Sequence, residues 1–130
     1  MVKKPIIYLD YAAATPVDPK VSAAMQPYLA DQFYNPSATY SAALGVSKSL
    51  GDARSKVAHW LGARSSEVVF TAGGSEANNL ALKGAFFAHR QKGEHIVTTQ
   101  IEHPAILRPC QFLERLGATV TLVPVDHTGR

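Results

Sequence analysis

Apolar residues in this chain change their spacing several times, and each change marks a boundary. Ala43, Val46, Leu50, Ala53, Val57 and Trp60 recur at three- and four-residue intervals, the period of one helix face. They predict a helix over Ser41–Leu61 with Gly62 as its stop, Trp60 lying on the apolar stripe. Further on, the apolar runs are short and β-branched. Residues 68–71, 95–99 and 119–123 read as strands, and residues 75–92 and 104–116 between them read as helices. Gly93 and Gly117 close those helices, and Pro109 is an awkward interior residue in the second.

Before the long helix, residues 6–9 read as a short strand or extended arm and residues 11–16 as a loop. Asp18 is placed to cap a helix with Pro19 at its first position. Val21, Ala24, Met25, Tyr28 and Leu29 continue it, and Pro27 should bend or shorten it. Residues 33–39, with Asn35-Pro36-Ser37, form a second loop, and residues 126–129 look like a turn.

The order from Glu67 onward is β-α-β-α-β. Alternating strands and helices imply an α/β fold with a parallel sheet and helices on its faces. Three strands make a small sheet with an apolar edge that needs covering or pairing. An ending just after a buried-type strand is expected of a chain that was cut or that a partner completes.

Composition narrows the function classes. Of 130 residues, 46% are hydrophobic and 18% charged, which suits a packed core rather than disorder. The net charge of +3 comes from scattered Lys and Arg, so a nucleic-acid surface has little support. Cys110 is the single cysteine, which rules out an internal disulfide and suits a reducing compartment. Its spacing with Ile106, Leu113 and Gly117 puts it on an apolar helix face, as a core thiol and not a nucleophile. Lys3 and Lys4 precede Ile6 and Ile7, but Asp10 ends the apolar run. No signal-peptide core or membrane span is expected, and the cytoplasm is the default. No pair among His59, His89, His95 and His127 has metal-ligand spacing, so no metal site is expected.

Two loops lie where ligands collect in parallel α/β sheets, beyond the carboxyl ends of strands. One is Ala72-Gly73-Gly74-Ser75. A helix start has unpaired N–H groups and partial positive charge, glycines permit close approach, and Ser75 adds a hydroxyl. That suits a phosphate, although a plain connection capped by Ser75 needs the same residues. No dinucleotide fingerprint or Walker lysine follows. The other loop, residues 100–104, carries His103. Its imidazole can stack on a planar ligand, transfer protons, or simply cap its helix. Glu76 favours the helix dipole and should point away from a phosphate, and Asn79 is suited to bonding a neighbouring loop.

Taken in order, Tyr8-Leu9-Asp10-Tyr11-Ala12-Ala13-Ala14-Thr15-Pro16, Asn35-Pro36-Ser37, the run from Phe70 to Ala81, and Glu102-His103 resemble the N-terminal part of the cysteine desulfurases. These are pyridoxal-phosphate enzymes of the class V aminotransferase group, similar to the NifS and IscS type. The resemblance covers nearly the whole chain. It implies an aspartate-aminotransferase-like (PLP fold type I) homodimer, with residues 1–66 as an N-terminal arm, loops and two helices. Residues 67–130 would begin the large domain that binds pyridoxal 5'-phosphate. The implied reaction takes L-cysteine to L-alanine and leaves sulfur on an enzyme cysteine as a persulfide. That sulfur serves iron–sulfur cluster assembly or tRNA thiolation through a scaffold or sulfur-acceptor protein. Gly74 and Ser75 would hold the cofactor phosphate, and His103 would stack on its ring and assist proton transfer. The loops at Asp10 to Thr15 and Asn35 would lie near the substrate entrance.

The chain departs from the family at Tyr40, near where members commonly carry a histidine. The family's Schiff-base lysine, its pyridine-pairing aspartate, its persulfide cysteine and its carboxylate-gripping arginine lie beyond Arg130. Lys83 is expected to point away from the ring and Cys110 is not the sulfur carrier. The 130 residues are therefore expected to be inactive alone. A selenocysteine lyase, another class V aminotransferase, or a non-enzymatic phosphate-binding or interaction fragment would share many of these features.

Overall fold

The computed structural model describes residues 6–130. The chain divides into two compact units, one ending at Val68 and one spanning Val69–Arg130.

The first unit is helical. Helix α1 (Pro19–Ala30) starts where Asp18 accepts the Lys20 N–H, and it continues past Pro27 to Ala30. Helix α2 spans Ser41–Leu61 and stops at Gly62, whose left-handed backbone (φ 63°) lets Ala63 N–H return to the Ala58 carbonyl at 2.9 Å. The apolar stripe of α2 is only partly covered: Ala43 and Ala58 are buried, whereas Trp60 is 88% exposed. Trp60 therefore leaves the predicted stripe, and Ala58 takes the inward position near that end. Ahead of α1, the Tyr8 hydroxyl lies 2.9 Å from the Asp10 and Ala14 carbonyls and ties the intervening loop. After α1, Asn35 Oδ1 accepts the Ser37 N–H at 2.9 Å. A 3₁₀ turn at Ser65–Glu67 is closed by Arg64, whose N–H and guanidinium both donate to the Glu67 carboxylate. Arg64 holds the Glu67 carboxyl below its usual pKa, first through the side-chain bond and then through the backbone one.

The second unit holds α3 (Gly74–His89), β1 (His95–Thr99), α4 (Pro104–Glu114) and β2 (Thr119–Val123). β1 and β2 pair in parallel, with His95 opposite Thr119 and Thr99 opposite Val123. Parallel neighbours need a crossover, and α4 supplies it. The α/β class is as read from the sequence, but the first expected strand is not formed. Val68 has extended angles (φ −96°, ψ 122°), yet the sheet among the described residues contains β1 and β2 alone. An apolar β-branched run favours extended backbone, but a strand also requires a neighbouring edge to bond.

Both helices end earlier than their spacing predicts. Lys92 and Gly93 N–H groups turn back to the His89 carbonyl, and Leu116 N–H bonds the Leu113 carbonyl at 2.9 Å, a tighter final turn. Arg90 joins the two ends. It donates to Glu94 Oε1 at 2.6 Å and to the Leu116 carbonyl at 2.9 Å, and its guanidinium lies over the Phe86 ring. Gly117 (φ 102°) passes beneath it, where a Cβ would come within 3.3 Å of Arg90 Nη2.

The core of this unit is Phe86 from α3, Leu113 from α4 and Ala118 before β2, with Ile96 of β1 packed against them. Leu113 is fully buried, which is worth about 1.5–3 kcal/mol for such a side chain. These few residues fix both helices on the sheet and so set where the starts of α3 and α4 lie.

Candidate functional site

Helix α3 opens without a side-chain cap. Its N-cap is Gly73, which makes no such hydrogen bond. The first-turn N–H groups are thus left for an outside acceptor. A Cβ built on Gly73 or Gly74 meets nothing within 4 Å, so open space adjoins the helix start. The turn before it is held by the protein itself. Thr71 Oγ1 donates to the Gly73 carbonyl at 3.2 Å, and Glu76 Oε2 accepts the Ala72 N–H at 2.7 Å. Glu76 thus braces the turn ahead of its own helix. Asn79 instead bonds the Ser75 carbonyl at 2.9 Å, within its own helix rather than to a neighbouring loop. The Ser75 hydroxyl has no protein partner among the described residues.

Helix α4 opens on His103. Its Nδ1 accepts the Ala105 N–H at 3.0 Å, and Pro104 occupies the first helical position. Capping and ligand contact were alternatives for this ring, and the geometry permits both. An Nδ1 that accepts carries no proton, so the neutral ring is protonated at Nε2. The proton available to a ligand is therefore on Nε2.

The two helix starts meet at one cleft of about 390 Å³. Ser75, Asn79 and Lys83 line it from α3, and His103, Arg108 and Phe112 line it from the α4 side. Gly74 is at the start of α3 but does not line the cleft itself. Lys83 also lines the cleft, with its Nζ 4.6 Å from the centre of the Phe112 ring. Arg108 and Phe112 were missed by sequence reasoning. Their spacing of four residues, in step with Ser75-Asn79-Lys83 on α3, was the available signal that each set shares a helix face. No acidic residue lines the cleft, and its charged groups are Lys83 and Arg108. Such a one-signed wall favours an anionic ligand.

Cys110 lies elsewhere, buried on the inner side of α4. Burial pushes its thiol pKa up, and the charges of Glu114 and Glu102 add to that. This is the inert core thiol that its helical spacing implied. Among the described residues no group of three or more His, Cys, Asp and Glu side chains could hold a metal ion. No helix there is long and apolar enough to cross a membrane.

The family model described as aminotransferase class-V matches residues 7–130. The chain belongs to the class-V aminotransferase family. It is 47% identical over 123 residues to cysteine desulfurase IscS of Dictyoglomus turgidum, across 95% of this chain and 31% of that protein. It is 46% identical to cysteine desulfurase IscS of Methanosarcina thermophila, across 95% of this chain and 30% of that protein. Among solved structures it resembles SspA in complex with cysteine, at TM-score 0.82 and 45% identity, covering 89% of this chain and 33% of that one. It also resembles a NifS-like protein, at TM-score 0.85 and 33% identity, over 92% of this chain and 33% of the other. The chain thus spans about a third of the length of the family members it matches. Its α/β architecture is that of the N-terminal part of class-V aminotransferase structures of PLP fold type I.

Proposed function

We propose that the chain is the N-terminal part of a cysteine desulfurase, with residues 67–130 beginning the domain that binds pyridoxal 5'-phosphate. The observation that carries this reading is the shared cleft: Ser75 at the start of α3 and His103 at the start of α4 both line it. The similarity to cysteine desulfurase IscS proteins and to SspA in complex with cysteine supports L-cysteine as substrate.

The residues fit the cofactor. An uncapped helix start beside open space, with a hydroxyl that no protein group engages among the described residues, suits a phosphate dianion. Gly74 and Ser75 would hold that phosphate, and His103 would face the flat ring. When bound, pyridoxal phosphate supplies the electron sink for bond cleavage next to an amino group. The chain's own contribution is orientation and proton handling. Glu76 keeps its carboxylate on the Ala72 N–H, at the turn that leads into the proposed phosphate site. His103 holds its ring by the Ala105 bond and presents Nε2–H as the donor. Product alanine and a persulfide destined for a scaffold or acceptor protein complete the proposed reaction, in a cytoplasmic homodimer.

The test is made on the full gene product that carries these residues. With pyridoxal phosphate and L-cysteine it should release alanine together with sulfur that a thiol reductant frees as sulfide. Sulfur-free turnover, or an absence of alanine from a cofactor-loaded protein, would sink the reading.

A further inference from the structure

We propose that Thr99 and Glu102 are positioning residues that hold His103 over the cleft, an inference that rests on the cofactor reading of His103. The chain must pass from the end of β1 to the start of α4 in residues 100–103. Thr99 Oγ1 donates to Glu102 Oε1 at 3.0 Å in a partly buried bond that spans this loop. Gln100 N–H donates to the Val123 carbonyl at 3.1 Å and ties the loop's first residue to β2. His103 is the loop's last residue, fixed on its far side by Ala105 and by Ile106 N–H, which bonds the His103 carbonyl at 2.8 Å.

Glu102 is half-buried, and no cation pairs with it among the described residues. Its carboxylate has Thr99 as its hydrogen-bond partner, and a hydroxyl bond to an ionised carboxylate is among the stronger kinds. Glu102 is also one of the charges that raise the Cys110 thiol pKa, after burial itself and Glu114. His103 itself has polyproline-like angles (φ −58°, ψ 148°), outside both the strand and the helix that flank it. The Thr99–Glu102 bond thus braces the residue immediately before His103, whose ring lines the cleft together with Ser75.

The full gene product is tested as wild type and as Thr99→Val, Glu102→Ala, the double variant, Thr99→Ser and His103→Ala. Hydrogen exchange over residues 103–107, the pyridoxal phosphate dissociation constant, and kcat and KM are read for each. Thr99→Val and Glu102→Ala should each speed exchange in that segment and lower kcat roughly tenfold with little change in KM, as a misplaced ring would. The double variant should fall no further than either single one, since both remove the same bond. Thr99→Ser, which keeps the hydroxyl, should restore both readouts. Additive losses, or unchanged exchange and kcat where His103→Ala is impaired, would overturn the positioning role alone. If His103→Ala itself alters neither cofactor binding nor turnover, the cofactor reading fails and this inference with it.

Discussion

His103 Nδ1 accepts the Ala105 N–H at 3.0 Å, so a single imidazole both starts α4 and lines the cleft. The two duties separate by substitution. His103→Ala should lose the cap and cost about 1 kcal/mol of stability. His103→Asn should recover most of that, because asparagine caps well, yet lack the ring. On the proposed function, both variants of the full gene product should lose turnover by about a hundredfold, the lower range for removing a proton-transfer group. Thermal melts beside alanine-release assays decide it, and a His103→Asn protein with wild-type turnover would show that only the cap matters.

The start of α3 allows folding and binding to be pulled apart. Gly74 is at the first position of the helix, and a Cβ there touches nothing within 4 Å. Gly74→Ala should fold as well as wild type or gain up to about 0.5 kcal/mol. The added methyl should nevertheless obstruct a phosphate and weaken pyridoxal phosphate binding. Ser75→Ala should weaken the same binding by roughly tenfold through loss of a charge-assisted bond. Equilibrium titration with the cofactor, with inorganic phosphate as competitor, measures both.

Cys110 should resist alkylation in the folded protein and react on unfolding. Its raised pKa favours the folded state while the thiol is neutral. That contribution is present below the ordinary thiol pKa and is lost as pH rises through the raised folded value. Cys110→Ala should cost about 1 kcal/mol of stability and, on the proposed function, leave alanine release by the full gene product unchanged. Timed alkylation read by mass spectrometry, with and without denaturant, checks the first claim, and rapid native-state labelling would contradict it.

Asp126 organises the turn after β2. Its Oδ1 accepts the Thr128 hydroxyl at 2.6 Å, the Thr128 N–H at 2.8 Å and the Arg130 N–H at 3.1 Å. The Thr128 hydroxyl, then the Arg130 and Thr128 amides, hold this carboxyl below its usual pKa. The turn is therefore fully supported above the ordinary carboxylate range and loosens as pH falls through the lowered folded value. Amide resonances of Thr128 and Arg130 should shift together in an acid titration, and Asp126→Ala should abolish that joint transition.

Local signals were enough for much of the fold. Gly62 marks the end of α2 because its left-handed angle is a one-residue property, and Pro104 marks the start of α4 for a similar reason. The parallel strands stood out because both are short and β-branched. What depends on a distant neighbour was not legible. Residues 68–71 read as a strand because spacing reports apolarity and not an adjacent edge. Trp60 read as core because periodicity cannot say how far along a helix its cover extends. At the candidate site, Gly74, Ser75 and His103 were named from residue type and position relative to strand ends. The placement of Lys83, Arg108 and Phe112 in the cleft needed the packing of α3 against α4.

The pairing of Thr99 with Val123 has a consequence for the tolerance of β1 to change. Both strands end level with one another, and the loop bearing His103 departs from that common end. An apolar exchange at Ile96 or Val97 leaves the departure point in place. One inserted residue would advance it by about 3.3 Å and turn each following side chain to the opposite face. The length of β1 is thus held more strictly than its composition, and an insertion in that strand should disable the cleft while similar insertions in residues 126–130 are absorbed.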